Sequence, residues 1–284
     1  MKTIIKKRIR NIVDFIEHSI GNVFFKPLNS IAPALFDNIF YRKKMIHTKS
    51  NKSISHRDFG PEARIQAKTS MLKEPSTIIW LETFKENANF LDVGASVGVF
   101  SLYAAKLKNA YVVALEPYSP AYNLLNLNIF DNHLGDKIIS YPLAAYSSEG
   151  FSALYLRHFS HDAGGSNFGK AQDPRGDVYD PVFIQGAYHI NADNLLIKHE
   201  PFHYIKIDID GNEVEALKGM KKILSSTDLI SVLIELNENS EDYNQIISTI
   251  SSYNLTLNSE ITSKSYISYK RGSKIYNHIF DKKM

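Results

Sequence analysis

The sequence predicts a doubly wound α/β fold with a mostly parallel sheet, and three observations carry that prediction. From about residue 62 onward, short apolar runs of strand length alternate with segments of helical length, the pattern of a parallel sheet covered by helices. Residues 89–101, NFLDVGASVGVFS, read as a buried strand entering a glycine turn and then a helix. Glu116 closes the next strand, about 20 positions after that turn, where an acidic residue can accept hydrogen bonds from ribose hydroxyls.

Taken in order, residues 1–46 read as helical, with Ile5, Ile9, Ile12, Ile16 and Ile20 at helical spacing beside Lys2, Lys6, Lys7, Arg8 and Arg10. Asn11, Asp14, Glu17 and His18 interrupt the unbroken apolar stretch that a signal peptide requires. A basic amphipathic helix packs on its own domain or on a second subunit. The alternative is an anionic membrane surface. Residues 47–61 are polar and read as a connector, so the expected division is a helical extension over 1–60 and a catalytic domain over 61–284.

Residues 65–84 are expected to be helical, 90–93 the first strand and 99–108 the first crossover helix. Tyr111 to Leu115 is the second strand. Ser119 and Pro120 suit the cap and first turn of a helix reaching Phe130, with Asn128 near its end. Residues 137–145 are the third strand, and 151–159 an edge strand. Residues 160–191 then carry five glycines, two prolines and four aspartates with little periodicity, which predicts a binding loop or lid. A strand over 203–208, a helix over 213–224, a strand over 228–236 and a helix over 240–251 follow. An antiparallel hairpin of residues 266–270 and 275–280 closes the chain.

The chemistry begins at Asp92. A dinucleotide loop receives an anionic pyrophosphate on glycines and a helix N-terminus. A carboxylate at the turn suits a ligand with an ammonium group instead, and S-adenosylmethionine is such a nucleoside. Gly94 and Gly98 permit a sharp turn. In a doubly wound sheet the first and fourth strands are neighbours at the switch point, with ligands beyond their carboxyl ends. The glycine turn is therefore expected to face Asp208-Ile-Asp-Gly-Asn-Glu213, which holds three acids in six residues. Complementing a helix dipole explains Glu213 but not Asp208 at the end of a buried strand.

Together, Asp92-Val-Gly-Ala-Ser-Val-Gly-Val-Phe-Ser101, Glu116-Pro117 and Ile205-Lys-Ile-Asp-Ile-Asp-Gly-Asn-Glu213 resemble the FkbM family of S-adenosylmethionine-dependent methyltransferases. The resemblance runs from about residue 88 to 240, and Asn237 also fits it. The family usually has Asn where Ser96 stands. The resemblance implies a seven-stranded Rossmann-like sheet with an antiparallel C-terminal strand, and O-methylation of a sugar, glycan or polyketide-type natural product. It places the cofactor on Asp92, Gly94, Ala95, Ser96, Gly98, Glu116 and Pro117, with Ala144 and Ala145 at the adenine.

Methyl transfer from a sulfonium is an in-line displacement, for which positioning can supply ~7–11 kcal/mol of the barrier. A base adds about 10²–10⁴-fold for an alcohol, and Asp208 is the expected base, with Glu213 beside it. An ordinary aspartate titrates near about 3.9. It needs burial to raise that value, or a divalent ion to acidify the hydroxyl. Asp208, Asp210 and Glu213 are the candidate ligands for Mg²⁺. Lys206 alternates out of phase with Ile205 and Ile207, so it either leaves the sheet for solvent or orients Asp208. Phe159, Phe168, Tyr179 and Phe183 would suit a sugar ring. His158, His161 and Asp162 read as solvated loop residues rather than metal ligands.

Composition narrows the alternatives. A hydrophobic fraction of 44% supports a sizeable core, and a net charge of +3 gives no reason to expect a nucleic-acid partner. Without cysteine the chain has no disulfide, thiolate zinc site or thiol nucleophile, consistent with the cytoplasm or the inner face of its membrane. A nucleotide-dependent oxidoreductase would want glycine at the position of Ser96, and an amino-group nucleic-acid methyltransferase an Asn/Asp-Pro-Pro-Tyr turn. The remaining alternative is a non-catalytic or membrane-associated S-adenosylmethionine-binding protein.

Overall fold

The computed structural model describes residues 43–47, 53–57, 74–159, 166–173, 175–265 and 274–283. The predicted amphipathic helix near the N-terminus and the strand over 266–270 lie outside the described residues, as do His161 and Asp162.

The first described elements are two strands, β1 (Lys43–His47) and β2 (Ser53–Arg57), paired antiparallel. They occupy sequence expected to be the end of a helical region and a connector, and the compact unit holding the rest of the fold begins at Lys43. The order then runs α1 (Pro75–Glu82), β3 (Asn89–Val93), α2 (Val99–Lys108), β4 (Tyr111–Leu115), α3 (Ser119–Asp131), β5 (Ile138–Tyr141), β6 (Leu143–Tyr146) and β7 (Gly150–Leu156). After β8 (Asn167–Phe168) and β9 (Phe183–Asn191), a 3₁₀ turn Ala192–Ile197 leads to β10 (Tyr204–Ile207), α4 (Glu213–Lys218), α5 (Lys221–Ser225) and β11 (Ser231–Asn237). The last elements are α6 (Tyr243–Ser252), β12 (Leu255–Leu257), α7 (Ser259–Ser263) and β13 (Ile275–Lys282).

The main sheet has seven strands in the order β12-β13-β11-β10-β3-β4-β5. β11, β10, β3, β4 and β5 are parallel to one another, while β13 runs antiparallel between β11 and β12. The doubly wound parallel sheet is therefore as predicted, and β3 and β10 lie side by side at its centre. Their side chains alternate between two cores. Phe90 and Tyr204 join Trp80, Leu102 and Leu125 under α1, α2 and α3. Leu91, Val93, Ile205 and Ile207 join Leu217, Ile223 and Ile246 under α4, α5 and α6.

A second, four-stranded sheet has the order β6-β9-β7-β8. Two expectations change here. The single strand predicted over 137–145 is two strands in different sheets, because Pro142 lacks the N–H a continuous ladder needs. The predicted loop over 160–191 contains the nine-residue strand β9, which pairs antiparallel with β7 and parallel with β6. Its glycine and polar residues hid the pattern, and its burial does not alternate: Phe183 and Ile184 are exposed while His189 and Ile190 are both buried. The helix predicted over 213–224 is likewise two short helices, separated at Gly219, where any Cβ would stand 1.9 Å from the Tyr146 carbonyl oxygen.

The β1–β2 hairpin is held through helix side chains. Ser55 N–H donates to Asn132 Oδ1 at 2.8 Å, and Asn132 Nδ2 returns a bond to the Ser55 carbonyl at 2.7 Å. Arg57 N–H donates to Asn128 Oδ1 at 2.9 Å, and its guanidinium pairs with Asp131 at 2.8 Å. Asn128, near the end of α3, ties β2 to the Val97 carbonyl.

Candidate active site

A cavity opens at the C-terminal ends of β3, β4 and β10, as a topological switch point requires. Its empty space, about 860 Å³, is partly open to solvent. The glycine turn contributes Val93, Gly94 and Ser96. The turn after β4 contributes Glu116, Pro117 and Tyr118, and the turn after β10 contributes Asp208, Ile209, Asp210 and Asn212. Leu143, Ala144 and Ala145, with Leu154 and Phe168 from the second sheet, form an apolar wall.

The first turn is shaped by contact with its neighbours. Gly94 has φ +79°, and its N–H and that of Ala95 both donate to the Leu115 carbonyl at 3.0 Å. A Cβ at Gly94 would stand 1.9 Å from the carbonyl oxygen of Asp208. Ser96 is also left-handed, at φ +50°, a region where asparagine is enriched. Its N–H donates to Glu116 Oε2 at 2.8 Å, and Tyr118 N–H donates to Oε1 at 2.8 Å. Glu116 thus clamps the first two turns together and faces the cavity, each oxygen keeping a lone pair beyond its backbone bond. Burial pushes its carboxyl up to about 7, against the pull of those two N–H groups.

Not every residue expected at the cofactor reaches it. Ala95 and Gly98 do not line the cavity. Ala95 belongs to the core, and Gly98, at φ +88°, gives α2 its close approach to Leu125, 2.4 Å from where a Cβ would stand. Asp92 does not line the cavity either. It shares the strand face of Phe90, so its side chain enters the layer under α2, where Oδ2 accepts the Ser101 hydroxyl at 2.5 Å. Asp92 is 1% exposed, and among the described residues Oδ1 has no hydrogen-bond partner. Burial drives its carboxyl above the usual aspartate value.

The partner across the strand boundary is Lys206, in register with Asp92. Expected either to leave the sheet or to orient Asp208, it does the second. With both sheet faces covered by helices there is no exit, and Lys206 is 1% exposed. Its Nζ donates to Asp208 Oδ2 at 2.7 Å and lies 5.2 Å from the Phe100 ring centre. Burial works against its charge, but the carboxylates of Asp208, Asp92 and Glu74 outweigh it and hold the ammonium above its ordinary pKa. Glu74 was not legible in the sequence as a site residue. It precedes α1 and accepts from Thr77 and Asn277, both at 3.0 Å. Burial raises its pKa, with the nearby Asp208 charge adding to the effect.

The acids after β10 separate rather than converge. Asp208 faces the cavity and Lys206, with its side chain 26% exposed. Glu213 turns back to accept Gly211 N–H at 2.9 Å and lines a different cavity, shared with Asp210. Burial pushes its carboxyl up to about 7. Among the described residues no group of three acids or histidines could hold a metal ion, so the set proposed for Mg²⁺ does not fit one. The aromatic residues proposed for a sugar also part company. Phe168 lines the first cavity, Tyr179 bonds the Tyr155 carbonyl at 2.6 Å, and Phe159 and Phe183 touch each other on the surface.

The residues present do fit S-adenosylmethionine. Small apolar groups at Ala144 and Ala145 suit a flat base, Glu116 suits a ribose diol, and the Asp208 carboxylate suits a neighbouring sulfonium. The methyltransferase FkbM domain model matches residues 92–257. No curated protein matches the sequence. Similar solved structures include a precorrin-6y C5,15-methyltransferase from Geobacter metallireducens, at 10% identity over 75% of this chain and 88% of that one, with a TM-score of 0.45. A TehB-like SAM-dependent methyltransferase from Corynebacterium glutamicum has 13% identity over 78% and 94%, with a TM-score of 0.40. M. capricolum TrmK, solved with S-adenosylhomocysteine, has 10% identity over 72% and 67%, with a TM-score of 0.39.

Proposed function

Because the chain belongs to the FkbM family of S-adenosylmethionine-dependent methyltransferases, we propose that it methylates a hydroxyl of a sugar, glycan or related natural product, with Asp208 as the base. The observation that carries this reading is the pairing of Asp208 with buried Lys206 at the edge of the cofactor cavity. When bound, the cofactor supplies an electrophilic methyl group whose sulfonium leaves as a neutral thioether. Lys206 fixes one carboxylate oxygen of Asp208 and leaves the other to accept from the acceptor hydroxyl. That hydrogen bond aims an oxygen lone pair at the methyl carbon. As the new C–O bond forms and the C–S bond breaks, the hydroxyl proton passes to Asp208.

A carboxylate is a weak base for an alcohol. Its work is therefore mostly orientation, with proton transfer late, when the oxygen carries positive charge and is strongly acidic. Glu116 holds the nucleoside end, which also suits its position between the first two turns. Calorimetric titration with S-adenosylhomocysteine tests the cofactor half of this reading. Labelled methyl transfer onto polysaccharide and nucleotide-sugar pools tests the acceptor half. Asp208→Asn should keep S-adenosylhomocysteine affinity within about threefold while lowering turnover about 10²-fold or more; full activity removes Asp208 as base.

A further inference from the structure

A second cavity adjoins the first, and one turn divides them. Asp208, Ile209, Asp210 and Asn212 face the cofactor cavity, whereas Asp210, Gly211 and Glu213 face its neighbour. β8 completes the partition, with Phe168 on the cofactor side and Asn167 on the other. Asp210 is the side chain of this turn common to both cavities. It is left-handed, at φ +57°, and such conformations cost energy and persist where surroundings enforce them. Here Asn167 Nδ2 donates to the Asp210 carbonyl at 3.0 Å, and Asn212 Nδ2 in turn holds Asn167 Oδ1 at 2.6 Å.

Among the described residues the lining of the second cavity is strongly polar, with six carboxylates and four amides against two cations, Lys170 and Arg175. Arg175 is already engaged by Asp173 at 3.0 Å, a carboxylate that also holds Arg157 at 2.7 Å. A phosphate or nucleotide entering this cavity would meet mostly like charge. A sugar without charge can donate hydroxyls to the carboxylates of such a lining and accept from its amides.

We infer that the second cavity is the acceptor subsite, that it takes an uncharged polyhydroxylated sugar rather than a phosphorylated or nucleotide-linked one, and that the acceptor hydroxyl reaches the methyl group past Asp210. This rests on the methyl-transfer reading above and narrows its substrate class.

Saturation-transfer NMR tests it, using methyl glucoside, galactoside and mannoside and the corresponding sugar 1-phosphates, each with and without S-adenosylhomocysteine. At least one glycoside should bind, more tightly than its phosphate. Glu235→Lys should weaken that binding at least tenfold and leave S-adenosylhomocysteine affinity within twofold, since Glu235 does not line the cofactor cavity. Asn239→Trp, on an exposed turn at the same cavity, should do likewise if Glu235→Lys fails to fold. Phosphates that bind as well as glycosides, no binding by either set, or binding indifferent to both variants overturns the inference. S-adenosylhomocysteine calorimetry is separate: its failure counts against the cofactor assignment, and the sugar titrations without nucleoside still decide the subsite.

Discussion

The carbonyl oxygen of Asp208 occupies the space that a side chain on Gly94 would need, 1.9 Å from the Cβ position. The glycine turn and the turn after β10 are thus packed backbone against backbone. Asp208 N–H donates to the Val93 carbonyl at 3.0 Å in the same contact. Glycine here sets the distance between the cofactor turn and the proposed base.

Gly94→Ala should accordingly force the two turns apart. The left-handed φ adds strain to the overlap, and the combined cost should be at least ~2 kcal/mol. Denaturant unfolding should show that loss, and S-adenosylhomocysteine affinity should fall at least tenfold. A variant with unchanged stability and affinity would mean that the contact does not shape the site.

Lys206→Met replaces the cation that Asp92, Asp208 and Glu74 share among the described residues with an apolar chain of similar length. Breaking a buried ion pair costs about 3–5 kcal/mol because it strands the partner charge. Combining Lys206→Met with Asp92→Asn should recover part of that loss, because Asp92 is then neutral. Additive costs in the double variant, measured by denaturant unfolding, would show that the two residues act independently.

Glu116 gives the cofactor site a pH dependence. Its carboxyl titrates at about 7 in the folded chain against an ordinary 4.5. The folded state therefore holds the proton more tightly, and the stability this contributes is lost as pH rises from about 4.5 through about 7. Binding runs the other way. In the proposed cofactor site the ribose hydroxyls would donate to the ionised carboxylate, so S-adenosylhomocysteine affinity should rise several-fold from pH 6 to 8 and then level off. Glu116→Gln should bind more weakly at pH 8 and remove most of the slope, as calorimetry across that range would report.

The residues legible in the sequence are those whose role follows from strand ends. Gly94, Glu116 and Asp208 stand where parallel strands stop, so alternation and spacing placed them beside one cavity. Asp92 was misplaced by one layer, since counting positions does not tell which face of β3 an inward side chain joins. Glu74, Asn167 and β9 escaped because their roles depend on contacts distant in sequence. Asn167 meets Asp210 across 43 positions, and nothing local in the stretch after β7 marks a strand that pairs with β6 and β7.

The β1–β2 hairpin makes the last prediction. An edge strand leaves unpaired N–H and C=O groups, and here Asn132 meets both backbone groups of Ser55 while Asn128 meets Arg57. Asn132 is 5% exposed, so truncation strands a buried donor and a buried acceptor at once. Each such group costs about 1–3 kcal/mol, and Asn132→Ala should destabilise the fold by at least ~2 kcal/mol. None of these residues lines the cofactor cavity, so S-adenosylhomocysteine affinity should stay within twofold. Hydrogen exchange should quicken at Ser55 and Arg57 while the amides of β3 and β10 stay protected. Equal loss of protection at β3 would show that the hairpin and the central sheet open as one unit.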